Sequence, residues 1–136
     1  MPIELTWLVP EKILLSRWIG EISPDDMRVA VEELLIILDS ASELIHSVID
    51  LGDFHKTHAD AIRVYVESPV RAHPNRGQIG VIDAPGDLQS LLDQINRAWQ
   101  RRMLRYFDSR AEARDFLLAH DHPPPLDPAH CSRAER

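Results

Sequence analysis

The segment 45–60 constrains the fold more than any other part of the chain. Its apolar first half, residues 45–51, has the composition of a buried strand and includes an acidic residue, Asp50, near its end. A short polar loop follows, and Thr57 together with Asp60 forms a capping box that predicts the start of a helix. Ligands and partners of α/β proteins most often bind beyond the carboxyl ends of strands. The loop after Asp50 is therefore a candidate functional edge.

The rest of the chain alternates between strand and helix patterns. Two apolar stretches, 3–9 and 13–19, are separated by so short a break that they predict a hairpin. Capping boxes that begin at Ser23, Thr57 and Ser109 predict three helices, and helical spacing of apolar residues predicts another over 88–99. Further strands are expected at 45–51, 78–82 and 104–107. We therefore predict an α/β fold with an α+β-like start, built from a mixed sheet of about five strands with four helices.

Composition sets the domain boundary and narrows the class of protein. Residues 1–119 carry the periodic patterns, whereas residues 120–136 are rich in proline and charge and predict a disordered tail. The net charge of −7 disfavours nucleic acid or an anionic membrane as a partner. No apolar run is long enough to span a membrane, and no signal peptide is seen. With a single cysteine, Cys131, the chain is expected in the reducing cytoplasm, without a disulfide.

Several local patterns resemble one known family. They are the opening hairpin, the Ser-Pro-Asp-Asp helix start at 23–26, the strand ending Val-Ile-Asp-Leu at 48–51 and the closing stretch 107–117. Together these patterns, over about residues 3–118, resemble the STAS-like family of small bacterial domains, which are similar to anti-sigma-factor antagonists. The resemblance implies a STAS-like fold and a non-enzymatic regulatory domain that binds a protein partner. It also implies phosphorylation of a serine or threonine near the start of the helix after the third strand.

The match to the antagonist motif is incomplete. Asp50, Leu51 and Gly52 match its start, but no Asp-Ser-Ser follows, and Thr57 is the hydroxyl that stands in the phosphoacceptor region. The candidate residues for partner or ligand contact in this segment are Asp50, Asp53, His55, Thr57 and His58.

Two rival functions are open at this point. Members of the resembled family have been linked to nucleotide or lipid binding, and a basic loop made by Arg71, His73 and Arg76 suggests a small-ligand or anion-binding domain. A metal-dependent hydrolase built on Asp50, His55 and His58 is the third alternative. Acidic and histidine side chains at a helix start more often cap the helix, so neither a cofactor nor a resident metal is predicted.

The predicted first helix has two apolar faces. Its core face is defined by a long series at helical spacing, and Val29 and Ile36 lie on the opposite side. These two residues are either incidental or the centre of a homodimer or partner interface. The three tryptophans, Trp7, Trp18 and Trp99, are predicted to be core residues. His46, inside a predicted strand, is expected to be a paired interior group.

Overall fold

The computed structural model describes residues 2–57, 59–99 and 104–123 of the chain. Seven strands and four α-helices are present in them. The strands are β1 (Ile3–Val9), β2 (Ile13–Trp18), β3 (Gly20–Ile22), β4 (Ile45–Asp50), β5 (Phe54–Thr57), β6 (Arg76–Ile82) and β7 (Leu104–Phe107). The helices are α1 (Pro24–Ser40), α2 (Ala59–Val66), α3 (Gly86–Trp99) and α4 (Arg110–Ala119), and a 3-10 turn covers Pro69–Ala72.

The main sheet has five strands in the order β1-β2-β4-β6-β7, and β3 pairs with β5 in a separate two-stranded sheet. Strand β1 is antiparallel to β2, while β2, β4, β6 and β7 run parallel to one another. The predicted mixed sheet of about five strands with four helices is confirmed. We call the side of the sheet where the four parallel strands end the carboxyl edge, and the side where they begin the amino edge.

Helices cover both faces of the sheet. Helices α1, α2 and α3 bury one face, where residues such as Met27, Ile62 and Leu92 pack on the strands. Helix α4 covers the other face through Ala113 and Leu117. Strand β6 lies between these two layers, and every residue after Arg76 in it is buried. This double burial explains the almost continuous apolar run of β6 in the sequence.

Helices α1 and α4 begin where their N-cap serines predict. The Ser23 hydroxyl accepts the N–H of Asp26 at 3.1 Å, and the Asp26 carboxylate accepts the N–H of Ser23 at 3.0 Å, with Pro24 in the first turn. The same backbone hydrogen bond from Ser23 lowers the pKa of Asp26. At α4 the Ser109 hydroxyl accepts the N–H of Glu112 at 3.1 Å. None of the described helices is both long and apolar enough to cross a bilayer.

Three sequence predictions about strands and loops are wrong in detail. The predicted strand 13–19 is divided, because Gly20 adopts a left-handed φ of +67° and starts β3 in a new direction. The predicted polar loop after Leu51 shrinks to a turn, and β5 follows it, with the ring of Phe54 6.3 Å from that of Trp18. Helix α2 covers Ala59–Val66, and Thr57, predicted as its N-cap, is the last residue of β5. A four-residue strand paired with a three-residue strand carries too little periodicity to be recognised.

The core assignment of the tryptophans is correct for one and wrong for another. Trp18 is 4% exposed, as predicted. Trp7 is 43% exposed, because β1 is an edge strand that starts buried at Ile3 and becomes exposed along its length. The side chain of Trp99 lies outside the described residues.

The segment that follows α4 crosses the amino edge of the sheet. His46, at 1% exposure, accepts the N–H of Gln78 at Nδ1 (2.9 Å), so its proton lies on Nε2, which donates to Asp121 at 2.8 Å. This confirms His46 as a paired interior group. Gln78 Nε2 in turn donates to the carbonyls of His120 (2.7 Å) and His122 (3.2 Å). We call the set His46, Gln78 and Asp121 the amino-edge clasp.

The clasp attaches residues after α4 to the sheet. The hydrogen bond that Asp121 accepts from His46 is the main reason that the pKa of Asp121 lies below its ordinary value. The segment 120–122, predicted as the start of the tail, is therefore attached to the sheet. Residues 124–136 lie outside the described residues, and their predicted disorder stays a prediction.

Candidate functional site

Asp50 is the centre of the carboxyl edge. It ends β4, opposite Arg17 of β2 on one side and Ile82 of β6 on the other. One carboxylate oxygen accepts the N–H of Gly52 at 2.9 Å, and the other accepts two N–H groups of the Arg110 guanidinium, with Nε at 2.9 Å. Its side chain is 12% exposed, and that of Arg110 is 44% exposed.

The environment of Asp50 keeps it ionised. Burial alone would raise the pKa of Asp50, but the hydrogen bonds from Gly52 and Arg110 outweigh burial and hold the pKa below its ordinary value. A carboxyl group with a lowered pKa is poorly suited to donate or share a proton near neutral pH. Asp50 is therefore an ion-paired anchor for the turn that follows β4.

A second ion pair lies beside the first and is more exposed. Arg17 donates to Asp53 at 2.6 Å and to Glu4 at 3.2 Å, and the side chains of Arg17 and Asp53 are 37% and 63% exposed. Strand pairing places Arg17 next to Asp50, so the guanidinium groups of Arg17 and Arg110 both lie at the carboxyl edge and interact electrostatically with Asp50. The result is a surface of alternating charge, which we call the carboxyl-edge surface: Arg17, Asp50, Asp53 and Arg110.

Asp83 completes the acidic side of this edge. It follows β6 with a left-handed φ of +58°, and a Cβ atom added at Gly52 would lie 3.3 Å from its carboxylate and 3.2 Å from that of Asp50. The two carboxylates thus flank one turn, because β4 and β6 are adjacent parallel strands that end at the same edge. Their arrangement does not make an acid/base pair, because Asp50 is committed to Arg110.

Strand β5 carries the next two predicted site residues. His55 is exposed on it, whereas Thr57 is half-buried and donates its hydroxyl to the carbonyl of Ile22 at 3.3 Å. His58 lies outside the described residues. Within the ranges that the structure describes, no group of three or more His, Cys, Asp or Glu side chains converges as a metal site would require.

The predicted anion-binding loop lies at the other edge of the sheet. Arg76 is the first residue of β6 and pairs with Ile45, the first residue of β4. Arg76 and His73 are therefore at the amino edge, across the sheet from Asp50. The side chain of Arg71 lies outside the described residues.

Polar side chains of this loop form hydrogen bonds within the protein. His73 accepts the N–H of Asn75 at Nδ1 (3.1 Å), so Nε2 carries the proton and donates to Asp39 at 2.7 Å. Asn75 Nδ2 donates to the carbonyls of Leu38 (3.1 Å) and Ala41 (2.9 Å) at the end of α1, where the Leu38 carbonyl also accepts the N–H of Ala41 at 3.2 Å. His73 and Asn75 thus attach the loop to the end of this helix.

The outer face of α1 is exposed as predicted. Val29 is 41% exposed and Ile36 is 65% exposed. Ile36 shares a groove with Trp7, so the apolar surface is larger than the two aliphatic residues recognised in the sequence.

The fold defined by this topology is STAS-like, of the SpoIIAA-like type. No protein-family model and no curated protein sequence matches the chain. Among solved structures, the chain is similar to an uncharacterised DUF3478-family protein with a SpoIIAA-like fold from Shewanella loihica PV-4. The TM-score is 0.62 at 16% identity, over 85% of this chain and 91% of that one.

Two structures of SpoIIAA itself are also similar to the chain. The anti-sigma factor antagonist SpoIIAA in its unphosphorylated form has a TM-score of 0.59 at 8% identity, over 86% of this chain and 97% of that one. The Bacillus cell fate determinant SpoIIAA in its phosphorylated form has a TM-score of 0.55 at 9% identity, over 85% and 98%. At these identities the likeness shows the fold, and it confirms the STAS-like resemblance seen in the sequence.

Sequence reasoning missed the two arginines of the carboxyl edge and the clasp of the amino edge. Arg110 and Asp50 are 60 positions apart, and His46 and Asp121 are 75 apart. One local signal pointed to Arg110, since it follows the N-cap Ser109 and so had to lie at the start of a helix. Only the order of the strands shows that this helix start reaches Asp50.

Proposed function

We propose that this protein is a regulatory STAS-like module that binds a protein partner through its carboxyl-edge surface and catalyses no reaction. The observation that carries the proposal is the pattern of exposed ion pairs around Asp50 on this fold. Support also comes from two similar structures of SpoIIAA, one of them named an anti-sigma factor antagonist. The single cysteine and the acidic net charge favour a cytoplasmic site of action away from nucleic acid.

The surface suits a partner that itself carries both signs of charge. Exposed ion pairs contribute only about 0–1 kcal/mol to folding. Arg17 and Asp53 can therefore exchange their mutual contact for contacts with a partner at little expense in stability, and such charges mainly set the association rate and specificity. The ion pair of Asp50 with Arg110 is better buried, and it would keep the turn after β4 in place when Arg17 and Asp53 contact a partner.

The rival functions receive less support from the geometry. The anion-binding hypothesis needs His73 free, yet His73 donates to Asp39. The hydrolase hypothesis needs Asp50 as a ligand or base, yet Asp50 is paired with Arg110.

A charge-reversal comparison tests the proposal. Tagged wild type, Asp53→Arg and Asp115→Arg are expressed in the native cell, crosslinked and purified. Asp115 is a matched control, because it is 70% exposed on α4 and makes only a local contact with Arg114. We expect a protein bound to the wild type and to Asp115→Arg but lost from Asp53→Arg. Recovery of the same protein with all three variants, or of none with the wild type, contradicts the proposal, provided that circular dichroism shows Asp53→Arg folded.

A second candidate function is self-association through α1. The observation that favours it is the exposure of Trp7 beside Ile36, which enlarges the apolar patch. A stable dimer needs about 800 Å² from each partner, so the interface would have to include the edge strand β1. Val29→Glu, followed by light scattering, tests this candidate.

A further inference from the structure

A groove lies between the β1–β2 turn and the second half of α1, and apolar atoms form somewhat more of its surface than polar atoms do. It has a volume of about 370 Å³, and its lining includes Trp7, Pro10, Lys12, Ile36, Ile37 and Glu43. Trp7 and Ile36 are two of the most exposed large apolar residues in the described part of the chain. Exposed aromatic and aliphatic side chains that lie together in a groove form a candidate binding surface.

The described chain ends at the rim of this groove. After α4 the segment 120–122 crosses the amino edge, where the clasp holds Asp121 against His46. The second carboxylate oxygen of Asp121 lies 3.7 Å from Lys12 Nζ, and Lys12 also pairs with Glu43 at 2.7 Å. Lys12 and Glu43 both line the groove. The tail therefore starts next to the apolar surface that lacks a cover in the described ranges.

The sequence that follows suits this surface. It reads His-Pro-Pro-Pro-Leu-Asp-Pro over 122–128. Consecutive prolines favour a polyproline II conformation, which needs no internal hydrogen bonds and docks into aromatic-lined grooves at a small entropic cost. Four residues beyond His122 extend about 12 Å at about 3.1 Å per residue, so the prolines and Leu126 can extend along the groove.

Tethering favours the chain's own tail over a second copy. A segment held a few residues away by the clasp has an effective concentration on the order of millimolar. A separate partner at micromolar concentration competes poorly unless its intrinsic affinity is far higher. We propose that residues 123–128 dock in cis into the groove lined by Trp7 and Ile36 and cover the apolar end of α1. Removal of the tail then exposes the surface that the self-association candidate would use.

Cys131 provides the test, because it is the only cysteine and lies three residues after the docking segment. A nitroxide label on Cys131 of the full-length, ¹⁵N-labelled protein broadens nearby signals in NMR spectra. We expect the largest losses of intensity at the Trp7 indole and at the Ile36 and Ala41 amides, and recovery after the label is reduced. Uniform weak broadening, without a maximum at the groove, overturns the proposal.

A mixing experiment and two pairs of variants complete the test. If labelled ¹⁴N protein broadens the same signals of unlabelled ¹⁵N protein, a second copy occupies the groove and the proposal fails. Ile36→Lys should abolish the broadening, whereas Val29→Lys, also exposed on α1 but outside the groove lining, should preserve it. Leu126→Asp should likewise abolish it, with Ala129→Asp as the control. Persistence in Ile36→Lys, with the fold intact, also contradicts tail docking.

Discussion

Replacing Gly77 by alanine should destabilise the fold far more than the same change at Gly52. A Cβ atom at Gly77 would lie 2.4 Å from Nδ1 of His46 and 2.8 Å from the carbonyl oxygen of Ile45. Both neighbours are part of a buried strand, and His46 is locked between Gln78 and Asp121. The imidazole would have to move, and its two hydrogen bonds would be lost or distorted.

The magnitude follows from two contributions. Overpacking a close-packed site costs about 1–3 kcal/mol, and a buried N–H of Gln78 left without its acceptor costs about 1–3 kcal/mol. We expect Gly77→Ala to lower the free energy of unfolding by about 3 kcal/mol. For a domain of this size that is a fall of roughly 10 °C in melting temperature.

Gly52 is the matched control. An added Cβ there would lie 3.2 and 3.3 Å from carboxylate oxygens of Asp50 and Asp83, so these oxygens would need to shift by only a few tenths of an ångström. Gly20 is the one described glycine with a positive φ, so alanine at Gly52 is not strained. We expect Gly52→Ala to change the free energy of unfolding by less than about 1 kcal/mol.

Urea denaturation of the two variants, followed by circular dichroism, measures the difference. A double-mutant cycle with Asp121→Ala adds a sharper test, because the two substitutions damage the same clasp and should not be additive. Equal midpoints for Gly77→Ala and Gly52→Ala, or strict additivity with Asp121→Ala, would refute the account of the clasp.

Three further perturbations follow from the same contacts. Truncation to 1–119 removes the clasp and should cost about 2 kcal/mol more than truncation to 1–123, which keeps it; equal melting temperatures for the two truncations would contradict the clasp. Val29→Glu should leave the fold intact, because an exposed site tolerates charge, and should keep the protein monomeric by light scattering even in the 1–123 form; an unfolded variant would show that Val29 is a core residue. The folded-state pKa of Asp50 is lowered, so the stability it contributes is present above the ordinary carboxyl pKa of 3.8 and is lost as the pH falls through the folded value. Arg110→Met should therefore reduce stability at pH 7 and flatten its decline in acid, and an unchanged acid profile would argue against this ion pair.

The sequence by itself determined the parts of the fold that depend on neighbours along the chain. The Ser23 capping box predicted the start of α1 because its two hydrogen bonds join residues three apart. The apolar run of β6 predicted a strand buried on both faces, because a strand that is covered on both faces lacks the alternation of apolar and polar residues. These signals, taken in order, were sufficient for the mixed five-stranded sheet and the STAS-like resemblance.

Tertiary structure decided which residues meet across the sheet. Trp7 follows the same alternation as Ile3, yet it is exposed because β1 is an edge strand and leaves its cover before Trp7. His73 belongs to the amino edge and Asp50 to the carboxyl edge, a separation that depends on strand direction. The contact of Asp50 with Arg110 arises because helix α4 begins where β4 ends, although 60 positions separate the two residues. Local periodicity reports the type of an element and which of its faces is buried, whereas the charge pairs of the candidate site depend on how distant elements are ordered and packed.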